Sequence, residues 1–133
     1  LSLVGSEMCI RDRCYYVLYR DFAQPIAWTP YSQAALKEHL LAGRTVIIEA
    51  RADWDCTSKL NQRNVWDQPR VKRAMRQRNV VPMVVDCTVN CDAEAKLLGI
   101  MSTPEVHVFR YGLPVARRVG NLIKPAQLLD AID

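Results

Sequence analysis

Apolar positions along this chain change their period several times, and glycine, proline or a small polar residue marks each change. Ser32 can cap a helix in which Ala35, Leu36, His39 and Leu40 share a face, with Gly43 as its stop. The stretch "RTVIIEA", 44–50, is β-branched and mostly apolar, which suits a buried central strand. A second helix should begin near Asp55 and run through the low 60s. "DQPRVKRAMRQR", 67–78, predicts a third, with Pro69 in its first turn and Val71, Ala74 and Met75 on its buried edge. "VVPMVVDC", 80–87, predicts a strand with Pro82 near its start, and "DAEAKLLG", 92–99, a short helix ended by Gly99. "EVHVFRY" (105–111) and "LPVARRVG" (113–120) predict two strands around a Tyr-Gly turn, close enough to form a hairpin. A last helix, roughly 124–132, starts with Pro125 in its first turn.

Strands joined through helices pair in parallel, while a hairpin pairs antiparallel. The expected fold class is therefore α/β: one domain over 32–133, with a mixed central sheet flanked by helices on both faces. Upstream, "DFAQPIAWTPY" (21–31) holds two prolines and no helical period, so it reads as an extended linker. "CYYVLY" (14–19) is an apolar run followed by Arg20 and Asp21. It is either the tail of a transmembrane helix, which needs roughly 20 apolar residues, or a short strand or packed arm. Residues 14–31 are thus a linker or a truncated membrane-proximal segment. "LSLVGSEMCIRDR" (1–13) lacks the apolar core and cleavage site of a signal peptide and resembles translated sequencing-adapter DNA, an artefact or a disordered leader. Setting it aside removes Cys9 and leaves Cys14, Cys56, Cys87 and Cys91.

Composition narrows the function little. At 133 residues, half of them apolar, the chain can bury a real core. The net charge of +4 owes most to "RVKRAMRQR" (70–78), so nothing on this scale demands nucleic acid as a partner. That basic helix reads as a solvated face, or as one drawn to anionic lipid headgroups. His39 and His107 have no ligand spacing, so neither a metal nor a cofactor is expected. His107, between Val106 and Val108, reads as a packed, hydrogen-bonded residue.

The chemistry gathers in "ARADWDCTSK", 50–59, where an apolar strand runs into a tryptophan and a helix start. Together with "VVPMVVDCTVNCDAEAKLLGIMSTP" and the hairpin "VHVFRYGLPV", this stretch resembles the thioredoxin fold. Residues 43–132 are similar to the C-terminal domain of DsbD-type transmembrane thiol:disulfide interchange proteins. In that family the turn reads Ala-Asp-Trp-Cys-x-x-Cys-Lys. Aligning Ala52, Asp53, Trp54 and Lys59 puts Asp55 at the attacking cysteine and Ser58 at the resolving one, with Cys56 at a variable position. Thr103-Pro104 matches the family's cis-proline, whose backbone would pair with an extended peptide next to a wall formed by Trp54. The resemblance also implies a periplasmic or extracytoplasmic, membrane-tethered parent with an upstream transmembrane domain.

Dithiol exchange needs a thiolate to attack a disulfide and a second thiol to resolve the mixed disulfide. A carboxylate cannot exchange with a disulfide, and an alcohol cannot resolve one. Two-thiol chemistry is therefore not expected from this turn. Aspartate is instead among the best helix N-caps, and Asp55 is expected to cap Thr57 or Ser58. Cys56 is either an inert thiol or a monothiol nucleophile favoured by the helix end and opposed by Asp55 beside it. Cys87 and Cys91 are expected as free, buried or semi-buried thiols. A Cys87–Cys91 disulfide, or one of them bonded to Cys56 as a resolving thiol, is geometrically allowed. Three functions stay open: a non-reductase module with a peptide-binding surface beside Pro104, a monothiol oxidoreductase using Cys56, and a purely structural domain of a larger membrane protein.

Overall fold

The computed structural model describes residues 25–113 and 116–133. The expectations for 1–13 and for the run 14–19 lie outside the described residues.

The described residues form a five-stranded sheet in the order β1-β3-β2-β4-β5. Its strands are β1 (Thr29–Pro30), β2 (Val46–Arg51), β3 (Val81–Asp86), β4 (Glu105–Phe109) and β5 (Arg117–Gly120). Strands β1, β3 and β2 run parallel, β4 is antiparallel to β2, and β5 is antiparallel to β4. The α-helices are α1 (Gln33–Leu41), α2 (Cys56–Asn61), α3 (Pro69–Gln77), α4 (Asp92–Leu98) and α5 (Pro125–Ile132). The mixed α/β architecture is the one the sequence pattern implies.

Alternation along β2 divides the core. Val46, Ile48 and Ala50 face a cluster with Leu36 of α1, Met83, Val85 and Cys87, against which Leu98 of α4 also packs. Ile47 faces the opposite cluster, built from Val65, Trp66, the α3 residues Val71, Ala74 and Met75, and Leu128 of α5. A strand whose residues are buried on both faces must be apolar throughout, which is why 46–50 carries so little polarity. The exception is Glu49, fully buried in that run.

Local chemistry sets most boundaries. Ser32 Oγ accepts from the Ala35 N–H at 3.3 Å, and Gly99 ends α4 at φ 71°, a left-handed conformation that glycine adopts without penalty. Pro69 and Pro125 each open a helix.

Three expectations need correction. The linker reading of 21–31 fails at Thr29–Pro30, which pair with Met83 and Val84 as an edge strand; proline is tolerated at a sheet edge, and two residues are too few to show a period. The helix after Asp55 continues as a π-helical turn, Gln62–Trp66, before α3 begins. The second strand of the hairpin is described over Arg117–Gly120 rather than from 113. Leu113 N–H closes a turn on Arg110 O at 3.2 Å, and among the described residues β5 pairs with β4 from Arg117, opposite Val108. Pro114 and Val115 of the expected strand lie outside the described residues.

Candidate functional site

Strand β2 delivers the site. Beyond Arg51 the chain turns through Ala52, Asp53 and Trp54, and Asp55 N–H returns to Ala52 O at 3.1 Å. Asp55 then caps α2: its Oδ1 accepts from the Thr57 N–H at 2.9 Å. Its other oxygen, Oδ2, accepts from Ser58 Oγ at 3.4 Å, and Ser58 Oγ itself accepts from the Ala52 N–H at 3.4 Å. Ser58 is buried by this arrangement. Cys56, between the two, is an exposed free thiol on the first residue of the helix.

Sheet register places two loops beside this turn. Strand β3 pairs with β2 up to Arg51↔Asp86, so the chain after Asp86 emerges on one side of it. Strand β4 begins with Glu105 opposite Ala50, so Thr103 and Pro104 emerge on the other. The turn at 52–58, the loop with Cys87 and Cys91, and Thr103–Pro104 therefore sit at one end of the sheet.

Contact with the first loop is direct. Asp53 N–H donates to Thr88 Oγ1 at 3.0 Å, and the Trp54 indole N–H donates to Thr88 O at 3.1 Å. Trp54 is otherwise well exposed, at 65%. Asp86 Oδ1 in turn accepts from the Thr88 N–H and hydroxyl at 2.9 and 2.5 Å. These bonds hold the Asp86 carboxyl below its ordinary value, with Arg51 a minor contributor. Cys87 and Cys91 are not the free thiols expected. They are bonded to each other, with Cα atoms 4.9 Å apart, and neither reaches Cys56. At one end of the short loop Asp86 gathers Thr88, and at the other Asn90 Oδ1 accepts from the Asp92 N–H at 2.9 Å. The separation of the two cysteines lies within the reach a disulfide needs, Cα atoms under about 7 Å apart.

The second loop is pinned from beneath. The Thr103–Pro104 peptide is cis, and Pro104 is buried. Glu105 Oε2 accepts from the Met101 and Ser102 N–H groups at 2.9 and 3.1 Å. Its Oε1 meets His107 Nε2 at 3.0 Å and Arg118 Nε at 2.6 Å, so His107 is packed and hydrogen-bonded. Burial pushes the Glu105 carboxyl up, but the bonds from Met101, Arg118, Ser102 and His107 outweigh it and hold it below its ordinary value. Asn121 Nδ2 donates to Ser102 Oγ and Pro104 O, both at 2.7 Å. Asn121 O accepts from Asn61 Nδ2 at 2.6 Å, which ties this loop back to α2.

Beneath the turn, Glu49 accepts from the Trp66 indole N–H and lies 3.4 Å from Arg51 Nε. Arg51 also stacks over Trp28, 4.7 Å from the ring centroid, and Trp28 meets Trp66 edge to face. Burial pushes Glu49 up to about 7, with Trp66 and then Arg51 opposing it. Sequence reasoning missed Glu49, Thr88, Glu105, Asn61 and Asn121. An acid inside an apolar strand run was a signal for Glu49. The others have no local signature, because their partners are distant in sequence.

Among the described residues, no group of three or more His, Cys, Asp or Glu could hold a metal ion. No helix among them is long and apolar enough to cross a membrane.

Comparison with known proteins gives one answer for the fold. A family model described as thioredoxin-like matches residues 27–115. The C-terminal domain of DsbD from Neisseria meningitidis, in its oxidised form, is 25% identical, with a TM-score of 0.57 over 73% of this chain and 83% of that one. Trxlp from Edwardsiella tarda is 22% identical, with a TM-score of 0.60 over 76% of this chain and 93% of its own. A thioredoxin from Thermus thermophilus is 19% identical, with a TM-score of 0.63 over 82% and 85%. No curated protein matches the chain in sequence.

Proposed function

The chain belongs to the thioredoxin-like family, and we propose that within it this domain is a non-reductase module that holds an extended peptide or protein partner at the surface between Trp54 and Thr103–Pro104. The observation that carries the reading is the bond between Asp55 and Ser58, the residues aligned with the family's two cysteines. Asp55 serves the helix with one oxygen and Ser58 with the other, so the turn keeps the redox scaffold with no dithiol in it. The exposed Trp54 ring and the adjoining loop around the cis Thr103–Pro104 bond supply the docking surface. Likeness to the DsbD C-terminal domain supports a parent that is membrane-anchored, with this domain on the periplasmic or extracytoplasmic side.

Cys56 favours a second reading, because it is exposed and unpaired. As a monothiol, its thiolate would attack a substrate disulfide, form one Cys56–substrate bond and release the other substrate sulfur as thiolate. With Cys87 and Cys91 bonded to each other, resolution falls to an external thiol.

Panning a displayed library of extended peptides against the folded chain tests the first reading. Enrichment by the wild type that is lost in Pro104→Ala, with the far-ultraviolet spectrum unchanged, supports it; equal enrichment overturns it. A dithiothreitol-driven insulin reduction assay separates the second, which requires turnover that disappears in Cys56→Ser.

A further inference from the structure

The loop 87–91 does more than connect β3 to α4. Its disulfide spans only four positions. A crosslink stabilises a fold largely by restricting the unfolded chain, and the effect shrinks with the loop it closes. Strand β3 and helix α4 are moreover already packed in the same core cluster. A staple is therefore a weak account of this bond.

Two further observations point elsewhere. The disulfide lies at the surface in an asymmetric way: Cys87 is 9% exposed and packed in the core, while Cys91 is half-buried and Val89 at the loop's tip is 97% exposed. The loop also carries Thr88, which receives both the Asp53 N–H and the Trp54 indole N–H. The two halves of Thr88 are held by different things. Its amide and hydroxyl are fixed by Asp86, outside the disulfide ring. Its carbonyl has the Trp54 indole as its partner, and it stands in a five-residue loop whose ends the crosslink joins.

We propose that the Cys87–Cys91 disulfide is an exchangeable redox centre, and that its state is passed through the Thr88 carbonyl to the side chain of Trp54. The co-reactant is a dithiol. One of its thiolates attacks the sulfur of Cys91, the more exposed of the two residues, forming a mixed disulfide while the Cys87–Cys91 bond breaks and Cys87 leaves as a thiolate. The second thiol of the reductant then displaces Cys91. The reductant ends as a disulfide, two electrons have entered the domain, and Cys87 and Cys91 take up protons to become thiols. In the reduced loop Asp86 still holds the Thr88 amide and hydroxyl in place for Asp53, but the crosslink no longer closes the loop that carries the Thr88 carbonyl to the indole. Reduction thus frees Trp54 while leaving the backbone of the turn in position. Any effect on partner capture rests on the docking role proposed above; the switch itself does not.

The test uses the full chain, labelled with nitrogen-15, in buffers of graded oxidised and reduced dithiothreitol. Alkylation and peptide mapping follow Cys87 and Cys91, and the Trp54 indole resonance is assigned with Trp54→Phe. Both cysteines should become alkylated together while the chain stays folded. Over the same range, solvent exchange of the Trp54 indole N–H should accelerate by about tenfold, the equivalent of one hydrogen bond, and the Asp53 amide should keep its protection. Cys87→Ser with Cys91→Ser should show the fast indole without reductant; if that variant does not fold, the reduced wild type is read directly. Alkylation that requires prior unfolding, or indole exchange that is the same in both states, overturns the proposal. Peptide capture that ignores the redox state while the indole responds supports the switch and counts against the docking reading alone.

Discussion

The indole N–H of Trp66 donates to the carboxyl group of Glu49 in the middle of the sheet, where both side chains are fully buried. Burial pushes that carboxyl up to about 7 from an ordinary 4.5. An unfolded chain releases the Glu49 proton near 4.5, whereas the folded chain keeps it until about 7. The contribution to stability is therefore complete below 4.5 and is lost as the pH rises through 7. The loss amounts to roughly 3 kcal/mol. Glu49→Gln still offers an oxygen to Trp66 and cannot ionise, so its stability should stay level across that window and exceed the wild type's above it. Urea midpoints at about pH 5 and about pH 8 check this, and equal slopes for both proteins would refute it.

Asp55 holds the first turn of α2 through Thr57 and holds Ser58 beneath it. Asp55→Ala removes both bonds and should destabilise the domain by ~1 kcal/mol or somewhat more, since the buried Ser58 hydroxyl loses its acceptor. Asp55→Asn keeps an oxygen at the cap and should recover most of the loss. Thermal unfolding of the three proteins is the measurement; an alanine variant as stable as the wild type would deny the residue its capping role.

In the proposed reading, Asp55 and Ser58 stand at the two positions that carry thiols in the family, at the start of α2. On the reading proposed above, converting both, Asp55→Cys with Ser58→Cys, should therefore install dithiol exchange in the turn. The expected result is dithiothreitol-dependent reduction of insulin well above the wild-type rate. Asp55→Cys alone should stop at mixed disulfides, having no resolving partner in the turn. A folded double variant whose two thiols titrate but which shows no gain would mean that the turn differs from a working site in more than these residues.

Features that depend on neighbours in sequence were legible before the structure. Ser32 and Asp55 read as caps because a cap bonds two or three residues ahead, and Pro69 and Pro125 read as helix starts for the same local reason. Thr88 gave no such signal. Its partners Asp53 and Trp54 lie 35 and 34 residues away, and only the parallel pairing of β2 with β3 brings them together. Asn61 and Asn121, 60 residues apart, were hidden in the same way. The state of Cys87 and Cys91 depended on how tightly five residues curl, which a spacing of four positions does not decide.

Glu105 holds the loop before it through two bonds, to the Met101 and Ser102 amides, and titrates in the opposite sense to Glu49. Its carboxyl is held below the ordinary 4.5 in the folded chain. The folded state therefore binds that proton less readily than the unfolded one, and the stability this gives is present above 4.5 and lost as the pH falls through the lower, folded value. At neutral pH, Glu105→Gln keeps the shape but has only one acceptor oxygen where the carboxylate serves Met101, Ser102, His107 and Arg118. The substitution should cost about 1–3 kcal/mol. It should also remove part of the acid-induced loss below 4.5 while leaving the Glu49 slope above that value intact. Because the Met101 and Ser102 amides shape the approach to Pro104, their hydrogen exchange should quicken in the variant ahead of the rest of the sheet. Unchanged exchange at those two amides, with an unchanged acid limb, would show that the loop is held by Asn121 alone.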